Sequence, residues 1–298
     1  AGTETGMYIS FDDGKAWSAF QLNLPIVPIT DLAVKNNSLI VATQGRSIWM
    51  IDDLTVLHQL DASTASKESV LFKPKDAYRT KGGARKGSLT EGENMPAGVV
   101  THLYVKDLKP SDKVQLVYTS IAGDTLAHFR TDATDPKEKL ALKTGGNTHV
   151  WDTRGEGAER LKGMILWWAN LSGPKAVPGS YKVHLNYNGA SQSEAFAILA
   201  DPRAEASVAE MQEQYDFITE INATVNKAHS SIKKIRSINE KLSAFEAQYK
   251  DDAAVADLVK QSKELRERFS TVEKAFYQTQ NRSGQDPLNF PIRLTNKL

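Results

Sequence analysis

By type and spacing, the residues best suited to chemistry in this sequence are carboxylates. Asp12 and Asp13 sit together in the stretch Ser-Phe-Asp-Asp-Gly-Lys-Ala-Trp at residues 10–17, and Asp52 and Asp53 form a second pair after Ile51. Glycoside hydrolysis needs two carboxylates facing each other across a sugar, about 5 to 9.5 Å apart. Neighbouring residues of a strand point to opposite faces, so neither pair makes such a dyad by itself. Asp52 and Asp53 also fall where a strand run gives way to a turn. Asp12 has a plainer use: its carboxylate can accept backbone N–H groups within a turn. Gly14 supplies a conformation other residues resist, and Trp17 can anchor the underside of a hairpin. Residue chemistry therefore favours a structural role for Ser10, Asp12, Gly14 and Trp17 over a catalytic one.

The other reactive types give no constellation. The six histidines are His58, His102, His128, His149, His184 and His229. None forms an HxH or HxxxH pair, so zinc is not expected. No G-x-S-x-G elbow, P-loop or dinucleotide fingerprint is present. The basic, glycine-rich "KGGARKG" lacks a strand–loop–helix context for phosphate and reads as a surface loop. Trp167 and Trp168 are the candidates for a ligand or domain contact, because aromatic faces stack on sugars or apolar partners. At least one of the pair is expected to be buried, and Trp151 is expected in a core. No catalytic residue, metal ligand or cofactor is assigned.

Composition narrows the classes further. The chain has 298 residues, with 37 basic against 36 acidic side chains and a net charge of +1. That balance gives no electrostatic reason to expect nucleic acid as a partner. Cysteine is absent, which removes disulfides, thiolate catalysis and Cys-ligated zinc. No run of about 18 apolar residues occurs, so no membrane span is expected. The first residues lack the basic start and apolar core of a signal peptide. The missing Met and the abrupt end after Pro291, read as the opener of a third helix, suggest a fragment of a longer protein.

The elements that must position these residues fall into three regions. Residues 1–60 hold short strand runs, "GMYISF", "KAWSAFQL", "ITDLAVK", "SLIVATQ" and "RSIWMID", separated by turn chemistry at "DDGK" and "KNNS". Their number and spacing suggest one propeller blade. Residues 68–202 carry "VVTHLYVKDL", "KVQLVYTSI", "LAHFRTD", "NTHVWDTR", "GSYKVHLNYNG" and "SEAFAILADP". In one of them Tyr181, Val183, Leu185 and Tyr187 alternate with Lys182, His184 and Asn186, as in a half-buried strand. An immunoglobulin-like sandwich is expected, with a long loop over 79–98 and a partly helical insertion over 156–177. Residues 203–298 switch to a helical period. Ile218, Ile221, Val225, Ile232, Ile235, Leu242, Phe245 and Tyr249 form one stripe. Val255, Leu258, Ser262, Leu265, Phe269, Val272, Phe276 and Thr279 form a second, with Asp251 or Asp252 as N-cap. The fold class expected is mainly β with an α-helical tail: a partial blade, a sandwich and an antiparallel helical hairpin.

Ser10, Asp12, Gly14 and Trp17 resemble the Asp-box, S-x-D-x-G-x-T-W, of bacterial neuraminidase (BNR) repeats, with Ala16 in place of the usual Thr. "LPIVPITDLAVKNNSLIVATQGRSIWMIDD" resembles the last blade of sortilin-type BNR propellers, with Gln44 and Ser47 replacing the usual His and Gly. "GENMPAG", "NTHVWDTR", "VPGSYKVHL", "ADPR" and "QDPLNFPIRLTNKL" are similar to segments that follow the propeller in large secreted proteins of Bacteroidetes and related bacteria, often labelled glycosyl hydrolases. The resemblance covers nearly the whole chain. It implies an exported protein and, as partners, the remaining blades of the same parent chain, with a glycan or peptide as ligand. The expected role is a non-catalytic scaffold or interaction region. The alternatives are an accessory part of a sialidase- or glucanase-like hydrolase with its carboxylates in other blades, and sortilin-like peptide binding.

Overall fold

Two-residue turns, alternating strands and one long capped helix set the architecture of this computed structural model, which describes residues 1–80, 95–167 and 169–298. The chain is mainly β with a C-terminal helical region, and it divides into two compact units, residues 1–153 with 178–205 and residues 154–177 with 206–298. The whole "KGGARKG" stretch, with the rest of residues 81–94 of the expected loop, and Trp168 lie outside the described residues.

The first unit begins with strands β1 (Gly2–Thr3), β2 (Gly6–Ile9) and β3 (Ser18–Ala19), paired in that order, and β4 (Ile29–Lys35), β5 (Ser38–Thr43) and β6 (Ile48–Ile51), which form a second three-stranded sheet. The β4–β5 hairpin pairs Lys35 with Ser38. Asn36 and Asn37 both adopt positive φ, 51° and 64°, the left-handed pair that a tight hairpin of matching twist needs. Met7, Leu24 and Val41 form the local core, with Phe20, Leu32, Leu39 and Trp49 packed on it. Gln21 ties β2 to the loop after β3: its Oε1 accepts from Met7 N, and its Nε2 donates to the carbonyls of Leu24 and Pro25.

Two further sheets follow. One has five strands in the order β11–β10–β13–β14–β8, from β8 (Ala77–Tyr78), β10 (Val114–Ser120), β11 (Thr125–Arg130), β13 (Gly179–Tyr187) and β14 (Ala190–Leu199). The other has β12 (Gly145–Trp151), β9 (Val99–Val105) and β7 (Ser69–Leu71). Alternation decides what they bury. Tyr181, Val183, Leu185 and Tyr187 of β13 are buried while Lys182, His184 and Asn186 are not, as the sequence period requires. Val99, Thr101, Leu103 and Val105 line the inward face of β9 in the same way. Gln192 of β14 accepts from Leu71 N and donates to Ser69 O, tying the edges of the two sheets.

In the second unit, α1 (Val208–Gln248) opens with a capping box. Ser207 Oγ accepts from Glu210 N, and the Glu210 carboxylate accepts from Ser207 N. This satisfies N–H groups that a helix start leaves open. Helix α2 (Ala256–Phe276) follows a turn in which Asp252 accepts from Ala254 N. Residue pairs 236–273, 243–266 and 246–262 across the two helices establish that they run antiparallel.

Three expectations differ here. Of the expected α2 stripe, Ser262 is buried against α1 and Phe276 packs on a core cluster, but Leu258, Leu265 and Val272 are exposed, and Val259, Arg266 and Glu273 join Ser262 on the face turned to α1. The physical reason is that Arg266 and Glu273, beside Ser262, pair with Glu246 and Arg236 of α1, and these polar contacts turn the Leu258, Leu265 and Val272 side of the stripe outward. The 156–177 segment contains no helix among its described residues and groups with the helical unit. Leu161 and Met164 pack with Ile232 and Tyr277 there. Pro291 does not open the last helix, α3 (Leu294–Lys297). Its carbonyl accepts from Gln278 Nε2, and Thr295 Oγ1 donates to Phe276 O, so this final segment is pinned to the end of α2.

Candidate functional site

The 10–17 stretch folds as a turn between β2 and β3. Asp13 and Gly14 take positive φ, 56° and 85°, a region that the Cβ of most residues resists. Ser10 Oγ donates to Asp12 Oδ1 at 2.9 Å and accepts from Gly14 N at 2.8 Å. The same Asp12 oxygen accepts from Ala16 N at 2.9 Å. These bonds hold the Asp12 carboxyl below its ordinary pKa, the Ala16 amide first and the Ser10 hydroxyl second. The Trp17 indole lies along Gly14, and its Nε1 donates to Gly14 O at 3.1 Å. Trp17 nevertheless keeps 52% of its surface exposed, so it covers the turn and does not sit in a core beneath it.

In the second pair, the Asp53 carboxylate is also committed to a turn. Asp53 Oδ1 accepts from Asn37 Nδ2, Thr55 N and Thr55 Oγ1. Asp12 and Asp53 therefore hold backbone in place. A further acidic group surrounds a hollow of about 640 Å³ bordered by Glu68, Asp107 and Asp112. There Asp112 accepts from Lys109 N, Asn188 Nδ2 and Tyr187 Oη, which lowers its pKa. Sequence reading passed over Asp112; its signal is the Lys-Pro-Ser-Asp turn before β10. Among the described residues no group of three or more His, Cys, Asp or Glu side chains is arranged to hold a metal ion.

Of the histidines, His102, His128, His149 and His184 lie in β9, β11, β12 and β13. His149 is half-buried beside Phe129, ring centroids 4.3 Å apart, and burial lowers its pKa to about 4. His184 Nε2 is 3.1 Å from Thr119 Oγ1. Buried His229, on α1, donates from Nδ1 to Glu159 O, so its role there is to fasten the 154–177 segment. Trp151 is buried, as the sequence reading has it. Trp167 is 37% exposed, and Asn296 grips its backbone, accepting from Trp167 N and donating to Trp167 O. Asn296 thus mimics a strand neighbour, which sets where that indole stands.

The Ser10–Trp17 turn and Trp167 belong to different compact units. No protein-family model matches the chain, and no curated protein matches it.

Proposed function

We propose that this chain is a scaffold and interaction region of an exported, sortilin-like BNR-propeller protein. In this reading residues 1–60 are one propeller blade, residues 68–202 an immunoglobulin-like sandwich, and residues 203–298 the helical hairpin that follows it. The observation that carries the reading is the outward face of the β4–β5–β6 sheet. One face of that sheet packs on the local core through Leu32, Leu39, Val41 and Trp49. The opposite face presents Ile48 and Met50, 72% and 59% exposed, next to Ile40 and Ala42 across the β5–β6 register. A blade buries such a face against the next blade, and an apolar patch of this kind marks an interaction surface. The turn-bound carboxylates of Asp12 and Asp53 support a scaffold over a hydrolase.

Two measurements test the reading. Thiol labelling of a Met50→Cys variant compares this face in the isolated chain and in the longer protein proposed; protection only in the longer protein supports a buried blade face. Assays on sialosides and β-glucans address the hydrolase alternative. Turnover by this chain that is lost in Asp12→Asn or Asp53→Asn would overturn the scaffold assignment.

A further inference from the structure

The helical unit holds a cleft of about 730 Å³, a volume typical of sites for small organic ligands. Helical spacing builds it. Arg236, Asn239, Glu240 and Ser243 stand at i, i+3, i+4 and i+7 on α1, and Ser270, Glu273 and Lys274 at i, i+3 and i+4 on α2, so each set shares one face. Lys162 and Arg282 add two more cations to the wall. Four cationic side chains thus meet only two carboxylates, Glu240 and Glu273.

The charges are unequally answered. Arg236 Nε donates to Glu273 at 2.7 Å, and its guanidinium lies 5.6 Å from the Tyr277 ring centre. This fixes the Arg236 fork by an ion pair and a cation–π contact. Among the described residues, neither Lys162 nor Lys274 has a carboxylate at ion-pair distance. A second, independent feature is polar. Asn281 lines the cleft at only 9% exposure, and its Oδ1 has no hydrogen-bond partner; Asn239 Oδ1 is in the same condition. Buried carboxamide oxygens are rarely left without a donor in a native structure.

We infer that this cleft binds a small polyhydroxylated anion. Its carboxylate or phosphate group meets Lys162, Lys274 and the fixed Arg236, because charge-assisted bonds to an anion are the strongest such a wall can make. Its hydroxyls donate to the Asn239 and Asn281 carboxamide oxygens once those side chains, which have almost no accessible oxygen surface as they stand, turn toward the cleft. The cleft is too large for a bare inorganic ion and has too little apolar lining to hold a greasy body, so the rest of the ligand is hydroxylated. The inference rests on the helical unit alone and is independent of the blade assignment.

Isothermal titration and amide chemical-shift mapping on the whole chain test it, with glucose 6-phosphate, glucuronate, glucose and inorganic phosphate as probes. At least one of the two anionic sugars is expected to bind at low ionic strength, with affinity falling as salt is added. Which of the two binds identifies the head group. Glucose is expected to bind at least about tenfold more weakly. A Lys162→Ala/Lys274→Ala variant is expected to weaken the anionic sugar about tenfold, with an unchanged circular dichroism spectrum. Asn281→Ala, or Asn239→Ala should the first not fold, is expected to weaken the anionic sugar about fivefold while leaving phosphate unaffected. The inference is overturned if neither anionic sugar binds at about 10 mM, if glucose binds equally well, or if the double lysine variant leaves affinity unchanged.

Discussion

The Tyr118 ring stacks on Trp151 with centroids 4.6 Å apart and planes inclined by 27°. Tyr118 belongs to β10 of the five-stranded sheet and Trp151 to β12 of the three-stranded one, so this pair joins the two sheets through their shared core. Its hydroxyl lies 2.8 Å from Thr101 Oγ1 on β9, so the phenol is both an apolar plug and a polar tie. Burial raises the Tyr118 pKa, which keeps the hydroxyl protonated across the working pH range.

Tyr118→Phe is therefore expected to destabilise the first unit by about 1–2 kcal/mol, because the Thr101 hydroxyl is left buried without its partner. Trp151→Ala is expected to cost about 3–5 kcal/mol through the cavity it leaves. Urea unfolding followed by near-ultraviolet circular dichroism reads both.

The Ser10–Trp17 turn gives a backbone test and a pH test. Gly14→Ala is expected to cost about 1–2 kcal/mol, since φ of 85° is strained for any residue with a Cβ. The lowered pKa of Asp12 means that its contribution is complete above the unfolded carboxyl value of 3.8 and is lost as pH falls through the folded value. The Ala16 amide is expected to lose protection, taken against its intrinsic exchange rate at each pH, on acidification below about pH 4, and Asp12→Asn is expected to remove that pH dependence.

His149 acts at higher pH. Burial depresses its pKa from 6.5 to about 4, so the unfolded chain binds the proton more readily than the folded one between those values. Stability of the first unit is expected to be full above about pH 6.5 and to fall as pH drops toward 4. His102 is shifted in the same direction, mainly by burial, with the charge of Asp53 opposing. Melting curves of His149→Gln against the parent chain between pH 7 and 4 check this; the variant is expected to show the shallower slope.

On α2, adjacent residues are expected to behave oppositely. Val259 is buried and Leu258 exposed, so Val259→Ala is expected to cost about 1–2 kcal/mol and Leu258→Ala less than about 0.5 kcal/mol. Arg266→Ala leaves the buried Glu246 carboxylate without the guanidinium 2.8 Å away and is expected to cost about 2–3 kcal/mol. Helix content at 222 nm during thermal unfolding measures all three.

How far the sequence could be read depended on whether local chemistry decided the outcome. Asn36 and Asn37 have to turn, and they do. Tyr181 to Tyr187 alternate because one sheet face is buried, and the period in the sequence is the period in the structure. The start of α1 was equally legible in Ser207-Val-Ala-Glu210, an S-x-x-E box that the apolar stripe overshadowed. On α2 the apolar period pointed to Leu258, Leu265 and Val272, but the pairs Glu246–Arg266 and Arg236–Glu273 come from residues twenty or more positions apart, which no local pattern encodes. The same holds for Leu161 and Met164, whose partner Ile232 lies two strands and more than half of α1 further on, and whose partner Tyr277 lies beyond both helices. The turn chemistry of the candidate site was plain from Asp12 and Gly14, whereas the cleft lined by Asn239 and Asn281 depends on helix pairing and left no motif.

The central proposal is that the outward face of the β4–β5–β6 sheet is an interface, buried in the longer propeller protein proposed above. The chain has no cysteine, so a single Met50→Cys thiol reports on that face without background. Rapid labelling by a maleimide is expected in the isolated chain, and labelling slowed by at least about tenfold, as for a thiol closed inside an interface, is expected in the longer protein proposed. Equal labelling rates in the two would contradict the account.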